Sequence, residues 1–321
     1  MPVITSSFHP PWFLRNGHLQ TLLPVLVPRR LRVVFEHERL ELADGDFLDL
    51  QWSRARRESP RPLVILSHGL EGSAGNGYMR GMAAAFNTAG WDALAWDFRG
   101  CGGEPNRLLR FYHSGDTRDL AAVIRRAAGA CSRIALIGFS LGGNITLKYM
   151  GEALPHPAVV GGVGISVPVD LAASAKALDE RRGNHVYLGR FLKTLIAKVE
   201  AKARQFPGQL DTAGIRSIRS FREFDDRYTS RIHGFRDAAD YWAQSSCLQH
   251  LPGITLPTLL VNARNDPFLA PESFPFAEAE RNPRLYFESP ESGGHVGFLD
   301  LARGMEPWSE RRAVEFVTRL A

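Results

Sequence analysis

The sequence predicts an α/β fold, a mostly parallel central sheet with helices on both faces and one helical insertion. Three observations predict it. Short apolar runs without polar alternation recur along the chain, as in strands buried on both faces. Helix-like segments lie between them, the alternation that builds parallel sheets. The pattern breaks between about Leu171 and Cys247, where helical periodicity continues without a convincing strand.

The elements follow in order. Val33 to Leu42 and Phe47 to Trp52 alternate around Asp44-Gly45-Asp46 and predict an antiparallel hairpin. Leu63-Val64-Ile65-Leu66 is an apolar run ending at Ser67-His68-Gly69. Trp91 to Trp96 ends at Asp97-Phe98-Arg99-Gly100, and Ile134-Ala135-Leu136-Ile137 ends at Gly138. Val160 to Val167 ends at Pro168, and Leu259-Leu260-Val261 and Leu285-Tyr286-Phe287 complete the set. Helices are predicted over Tyr78 to Ala89, Asp116 to Ala128 and Asn144 to Leu154. In the second, Leu120, Val123, Ile124 and Ala127 recur at helical spacing along one face. The expected organisation is a core of 1–170 and 248–321, with 171–247 inserted as a helical lid or cap.

Composition narrows the class. Of 321 residues, 44% are hydrophobic and 23% charged, which excludes a disordered or collagen-like chain. The uncharged, mostly apolar run Val159 to Val169 has eleven residues. A membrane-spanning helix needs about 20, so no transmembrane segment is expected. Pro2 to Leu14 carries no charge ahead of its apolar residues and is interrupted by His9-Pro10-Pro11, unlike a signal peptide. Three cysteines are too few for a disulfide framework and point to a reducing, cytoplasmic setting. The net charge of +5 is a weak hint of nucleic-acid binding, and no nucleic-acid partner is expected. The excess is local: Lys176 to Arg236 holds 14 basic and 7 acidic residues.

Gly138-Phe139-Ser140-Leu141-Gly142 fits G-x-S-x-G, after a predicted strand and before a predicted helix. A turn this tight leaves no room for a Cβ at either flanking position. It lifts the serine oxygen clear of the sheet at a helix N-terminus, where developing negative charge is favoured. The plain structural alternative is a glycine-rich turn with an incidental serine. A serine hydroxyl is a poor nucleophile until a base takes its proton, so a histidine and an acid are sought. On this fold they follow in the order acid, then histidine. His295, in Glu291-Ser292-Gly293-Gly294-His295-Val296-Gly297, is the candidate base; His233 lies in the insertion and His250 reads as a surface loop residue. Asp266, in Asn265-Asp266-Pro267 after the Leu259 run, is the candidate acid, ahead of Asp237, Asp240 and Asp300. Its structural alternative is a turn or cap aspartate.

An oxyanion hole needs two backbone N–H groups. Leu141, after the serine, is one candidate; Leu70, in His68-Gly69-Leu70-Glu71-Gly72, is the other. His68 reads as a structural hydrogen-bonding residue. No H-E-x-x-H spacing, phosphate-binding loop or dinucleotide fingerprint is present, so neither metal nor cofactor is expected.

These residues, with others, resemble the YheT-like family of α/β-hydrolases over nearly the whole chain. The matching pieces begin with Asn16-Gly17-His18-Leu19-Gln20-Thr21 and His68 through Ser73. Arg99-Gly100-Cys101-Gly102-Gly103, Tyr112-His113-Ser114-Gly115 and Gly138 through Asn144 with Leu147-Lys148-Tyr149 follow. Arg222-Glu223-Phe224-Asp225-Asp226, Asp266-Pro267-Phe268 and Gly293 through Phe298 come last. The resemblance implies a Ser–Asp–His hydrolase mapped onto Ser140, Asp266 and His295. It further implies a carboxylesterase acting on short- to medium-chain acyl esters. Some eukaryotic relatives act on phospholipids, and some fungal ones transfer acyl groups to alcohols.

Arg190 to Arg204 reads as an amphipathic helix, with Phe191, Leu192, Leu195, Ile196 and Val199 on one face. Arg190, Lys193, Lys198 and Lys202 are expected in water. Such a lid helix could line an acyl pocket or meet an anionic lipid surface weakly. Asp225 and Asp226 with Arg222 are expected to pin the insertion to the sheet by ion pairs. The expected function is hydrolysis of a small acyl ester through an acyl-enzyme. Acyl transfer to an alcohol, lipid-ester hydrolysis and a non-catalytic binding module are the alternatives.

Overall fold

The computed structural model describes residues 2–55 and 61–320. Among these, nine strands form one sheet: β1 (Val3–Ile4), β2 (Glu36–Glu41), β3 (Phe47–Ser53), β4 (Leu63–Ser67), β5 (Asp92–Trp96), β6 (Ile134–Phe139), β7 (Val159–Ile165), β8 (Thr258–Val261) and β9 (Leu285–Glu288). Their order is β1-β9-β8-β7-β6-β4-β5-β3-β2. The β2–β3 and β3–β5 pairs are antiparallel and the others parallel. The expected hairpin is therefore β2–β3, closed through Gly45 at φ 83°. Charged residues dominate its edge strand, Glu36-His37-Glu38-Arg39, which discourages pairing with other chains.

The central strands are buried along their whole length, and consecutive residues serve opposite faces. Leu63 and Ile65 face one core layer with Leu120, Val123, Ile145 and Phe287. Val64 and Leu66 face the other, with Met79, Met82, Phe86 and Phe316. The first layer is covered by α3 (Thr117–Ala128) and α4 (Leu141–Glu152), the second by α2 (Gly77–Thr88) and a C-terminal helix, Trp308–Thr318. Strand β7 stops at Ile165, short of the expected Val167, because Ser166 adopts φ 54° and turns the chain.

Two N-terminal features were not foreseen, the short β1 and the helix α1 (Gly17–Leu26). Between β7 and β8 the described chain is helical: α5 (Leu171–Glu180), α6 (His185–Gln205), α7 (Phe221–Phe224), a π-turn Asp225–Thr229, α8 (Ser230–His233) and α9 (Ala238–Ser245). A six-residue 3₁₀ segment, Leu248–Gly253, returns the chain to the sheet. These helices build a third apolar cluster from Leu178, Leu192, Leu195, Val199, Phe221, Phe224 and Trp242. Phe111 and Phe268 join it from either side of the insertion.

Two sequence expectations fail here. Lys202 is 3% exposed, its ammonium donating to the Asn106 and Leu108 carbonyls and to Gln205 Oε1. Lys198 is also drawn inward, to Glu71 and Cys101. Helical spacing marks them as polar but not as solvated, since their partners come from a distant loop. Nor does the acidic pair tie the insertion to the sheet. Asp225 accepts from Thr229 Oγ1 and Trp242 Nε1, and Asp226 faces Arg222 at 3.9 Å and accepts from Ala238 N–H. All these partners lie inside the insertion.

Candidate active site

Strand order reverses around β4, and the candidate residues gather beyond the carboxyl ends of β4, β6, β8 and β9, where open α/β sheets place their sites. Ser140 stands between β6 and α4 at φ 52°, ψ −119°, a strained conformation for a residue with a Cβ. The crowding around it explains the glycines. A Cβ on Gly138 would lie 2.3 Å from the Gly142 carbonyl oxygen, and one on Gly142 would lie 2.4 Å from the Ser67 and His68 oxygens. The strain is held by Ser140 N–H donating to Ile165 O at 2.9 Å and Asn144 N–H to Ser140 O at 3.0 Å.

His295 Nε2 lies 2.9 Å from Ser140 Oγ, and His295 Nδ1 lies 2.8 Å from Asp266 Oδ2. A carboxylate only accepts, so Nδ1 carries the proton and Nε2 offers its lone pair to the serine hydroxyl. Asp266 is 3% exposed, and its other oxygen accepts Phe268 N–H at 2.9 Å. The Phe268 ring covers the imidazole at 4.2 Å between centroids. The structure thus brings together three residues taken from loops far apart in sequence.

Leu70 and Leu141, whose amides are the candidates, line one pocket with Ser140 and His295. Gly69 to Gly72 forms a turn closed by Gly72 N–H to Gly69 O at 3.0 Å, with Glu71 at φ 54°. Gly69 N–H donates to Tyr78 Oη and Glu71 N–H to Tyr112 Oη, each at 2.9 Å. Among the described residues, neither Leu70 N–H nor Leu141 N–H has an acceptor. Leu70 is thus the amide the turn leaves free.

His68 is fully buried, with Nδ1 donating to Gly69 O at 2.7 Å and Nε2 accepting from Phe98 N–H at 3.1 Å. Burial lowers its pKa to about 3, so the ring stays neutral. It braces the turn and makes no contact with the serine hydroxyl. His250 and His233 lie away from Ser140; His233 instead packs against His113 and Phe111.

Several supporting residues were missed. Thr21 Oγ1, on α1, accepts His295 N–H at 2.9 Å. Asn265 Oδ1 accepts Gly294 N–H at 3.1 Å, and Ser166 Oγ accepts Val296 N–H at 2.9 Å. Together they hold the histidine loop, whose Val296 and Phe298 take positive φ. The Asn16-Gly17-His18 motif acquires a structural role. Asn16 caps α1 through Leu19 N–H, Gly17 packs where a Cβ would meet Asn265 O at 2.0 Å, and His18 Nδ1 meets Tyr187 Oη at 3.2 Å. The Tyr112 to Gly115 motif is likewise spoken for: Ser114 bonds Tyr241 Oη, and Asn144 Nδ2 ties Ser114 O to Ser245 O.

The pocket above Ser140 is mainly apolar, with Leu178, Phe191, Leu195 and Phe221 on its insertion side. Asp225 interrupts that wall. Burial raises its carboxyl to about 7 despite the bonds from Thr229 and Trp242.

A family model described as alpha/beta hydrolase fold matches residues 62–301. The chain is 38% identical to the Escherichia coli protein named "Putative esterase YheT", over 98% of this chain and 94% of that one. It is 28% identical to phospholipase ABHD3 of Mus musculus, over 93% of this chain and 75% of that one. Among solved structures, the Pyrococcus furiosus esterase Pf2001 superposes with a TM-score of 0.59 at 19% identity, over 98% of this chain and 100% of that chain, a likeness of fold.

Proposed function

This chain belongs to the YheT-like family of α/β-hydrolases, and from that premise we propose that it is a serine carboxylic-ester hydrolase with Ser140, His295 and Asp266 as its triad. The observation that carries this is the continuous line of two hydrogen bonds, Asp266 to His295 to Ser140, ending on an oxygen at the pocket.

Ser140 Oγ attacks the ester carbonyl carbon while its proton passes to His295 Nε2. Leu70 and Leu141 N–H hold the resulting oxyanion. The ester C–O bond breaks, the alcohol leaves with the proton from His295, and an acyl-serine remains. Water then gives a proton to His295 and attacks the acyl carbon; the acid departs and Ser140 recovers its proton. Asp266 orients the imidazole and stabilises its charged form. Each oxyanion donor of this kind contributes about 10²–10³ in turnover.

The inserted segment 171–247 acts as a lid that excludes water, and residues 1–170 and 248–321 form the core it covers. The apolar pocket wall supports short- to medium-chain acyl groups as substrates. The three cysteines are unpaired, which fits a cytoplasmic setting. No helix of the described chain is long and apolar enough to cross a membrane.

The test is hydrolysis of p-nitrophenyl esters from acetyl to palmitoyl by the wild type and by Ser140→Ala. Serine-dependent turnover that peaks at one chain length is expected. Equal turnover by a folded Ser140→Ala preparation would overturn the mechanism.

A further inference from the structure

Helix α1 is inverted relative to an ordinary surface helix. Its buried residues are Gly17 and Gln20, and Gln20 is fully buried: its Nε2 donates to Leu14 O at 2.8 Å and Leu299 O at 2.9 Å, and its Oε1 accepts Leu299 N–H at 2.8 Å. Its outward residues are apolar: Val25 is 62% and Leu26 71% exposed, with Leu19 and Leu22 on the same side. The preceding turn adds Trp12 at 79% and Phe13 at 50%. The buried polar anchors seat the helix, so the fold does not need an apolar outer face. Exposed apolar and aromatic side chains concentrated in one short segment, on a helix seated by polar groups, mark an interaction surface.

Charge identifies what it meets. The first 35 residues contain four arginines, Arg15, Arg29, Arg30 and Arg32, and no acidic residue. Arg29 is paired with Glu310, whereas Arg15, Arg30 and Arg32 are exposed. Apolar and aromatic side chains bordered by arginine match the boundary of an anionic bilayer, where the rings and leucines enter the acyl region and guanidinium groups meet phosphate. A second copy of the chain on this face would set arginines against arginines.

We propose that α1 and the turn Trp12–Leu14 dock this protein on an anionic lipid surface. The inner side of α1 holds the histidine loop through Thr21 and His295, so the docked face is the back of an element that borders the site. This placement deepens the hydrolase reading and rests on it only for the consequence that esters reach the pocket from a bilayer. It also moves the lipid-facing surface away from α6, whose Lys198 and Lys202 are engaged inside the protein.

The test is sedimentation of the purified full chain with vesicles of phosphatidylcholine, alone or mixed with phosphatidylglycerol. Binding to the mixed vesicles that weakens with added salt is expected. Val25→Ser with Leu26→Ser, and separately Arg30→Ser with Arg32→Ser, should each lower the partition coefficient about tenfold or more. Both pairs lie away from the site, so turnover of soluble p-nitrophenyl acetate stays at the wild-type value. Absence of vesicle binding, or binding unchanged in both variants, would overturn the proposal. So would a wild-type dimer in sedimentation velocity that either variant converts to monomer. A wild type that binds vesicles but cleaves no ester would sink the hydrolase reading and leave the docking surface standing.

Discussion

Lys198 Nζ lies 2.6 Å from Glu71 Oε1, joining the middle of α6 to the turn that carries the free Leu70 amide. Both side chains are largely buried. Glu71 also accepts the Tyr112 hydroxyl at 2.8 Å, and the lysine sits 4.6 Å from the centre of the Tyr112 ring. Glu71 itself holds φ 54°, so this cluster fixes a strained residue one position after the proposed oxyanion donor. The ion pair joins the insertion to the turn that carries the proposed oxyanion donor.

Lys198→Met should therefore lower kcat about tenfold to a hundredfold with little change in KM, if the proposed Leu70 donor acts in the transition state. Lys198→Arg should restore part of the loss. Steady-state kinetics on a soluble ester checks this, and a rise in KM at constant kcat would point instead to a pocket-shaping role.

Asp266→Asn should preserve the fold and lower kcat about 10³–10⁴-fold. An amide can donate to Nδ1, which would turn the imidazole into the tautomer that cannot accept the Ser140 proton. Loss of activity with an unchanged thermal midpoint is expected. Activity within a few-fold of wild type would remove Asp266 from the proposed triad.

Asp225 makes stability depend on pH. Its carboxyl rises from the ordinary value of 3.8 to about 7 in the folded protein, chiefly through burial. The folded state thus binds the proton more tightly than the unfolded chain. The stability this contributes is complete below pH 3.8, declines as pH climbs and is gone above about 7. Asp225→Asn cannot ionise. Its melting temperature relative to wild type should rise between about pH 5 and about pH 8. Thermal denaturation followed by circular dichroism at both values measures the difference, and a pH-independent offset would contradict it.

The sheet was legible because its strands are covered on both faces. Runs such as Leu63 to Leu66 need no polar alternation, and that signature is local. The glycines around Ser140 were legible for a similar reason, since a tight strand-to-helix turn excludes a Cβ wherever it occurs. α1 was not legible as an element. Its leucines point outward and its glutamine inward, the reverse of the pattern that periodicity detects. Thr21, Asn265 and Ser166, which hold the histidine loop, carry no local signal because each acts on a backbone amide remote from it or reached by a turn.

By itself, then, the sequence determined the α/β class, the antiparallel hairpin, the elbow at Ser140 and the helical character of the stretch after β7. Each follows from side-chain size and polarity read over a few neighbouring residues. The tertiary structure alone decided that Lys198 and Lys202 are buried, that Asp225 bonds within the insertion, and that the turn leaves Leu70 N–H free while Gly69 and Glu71 N–H are taken. The physical reason is that local pattern records what a side chain is, whereas the solvation of a charge and the freedom of an amide depend on partners supplied by distant parts of the chain.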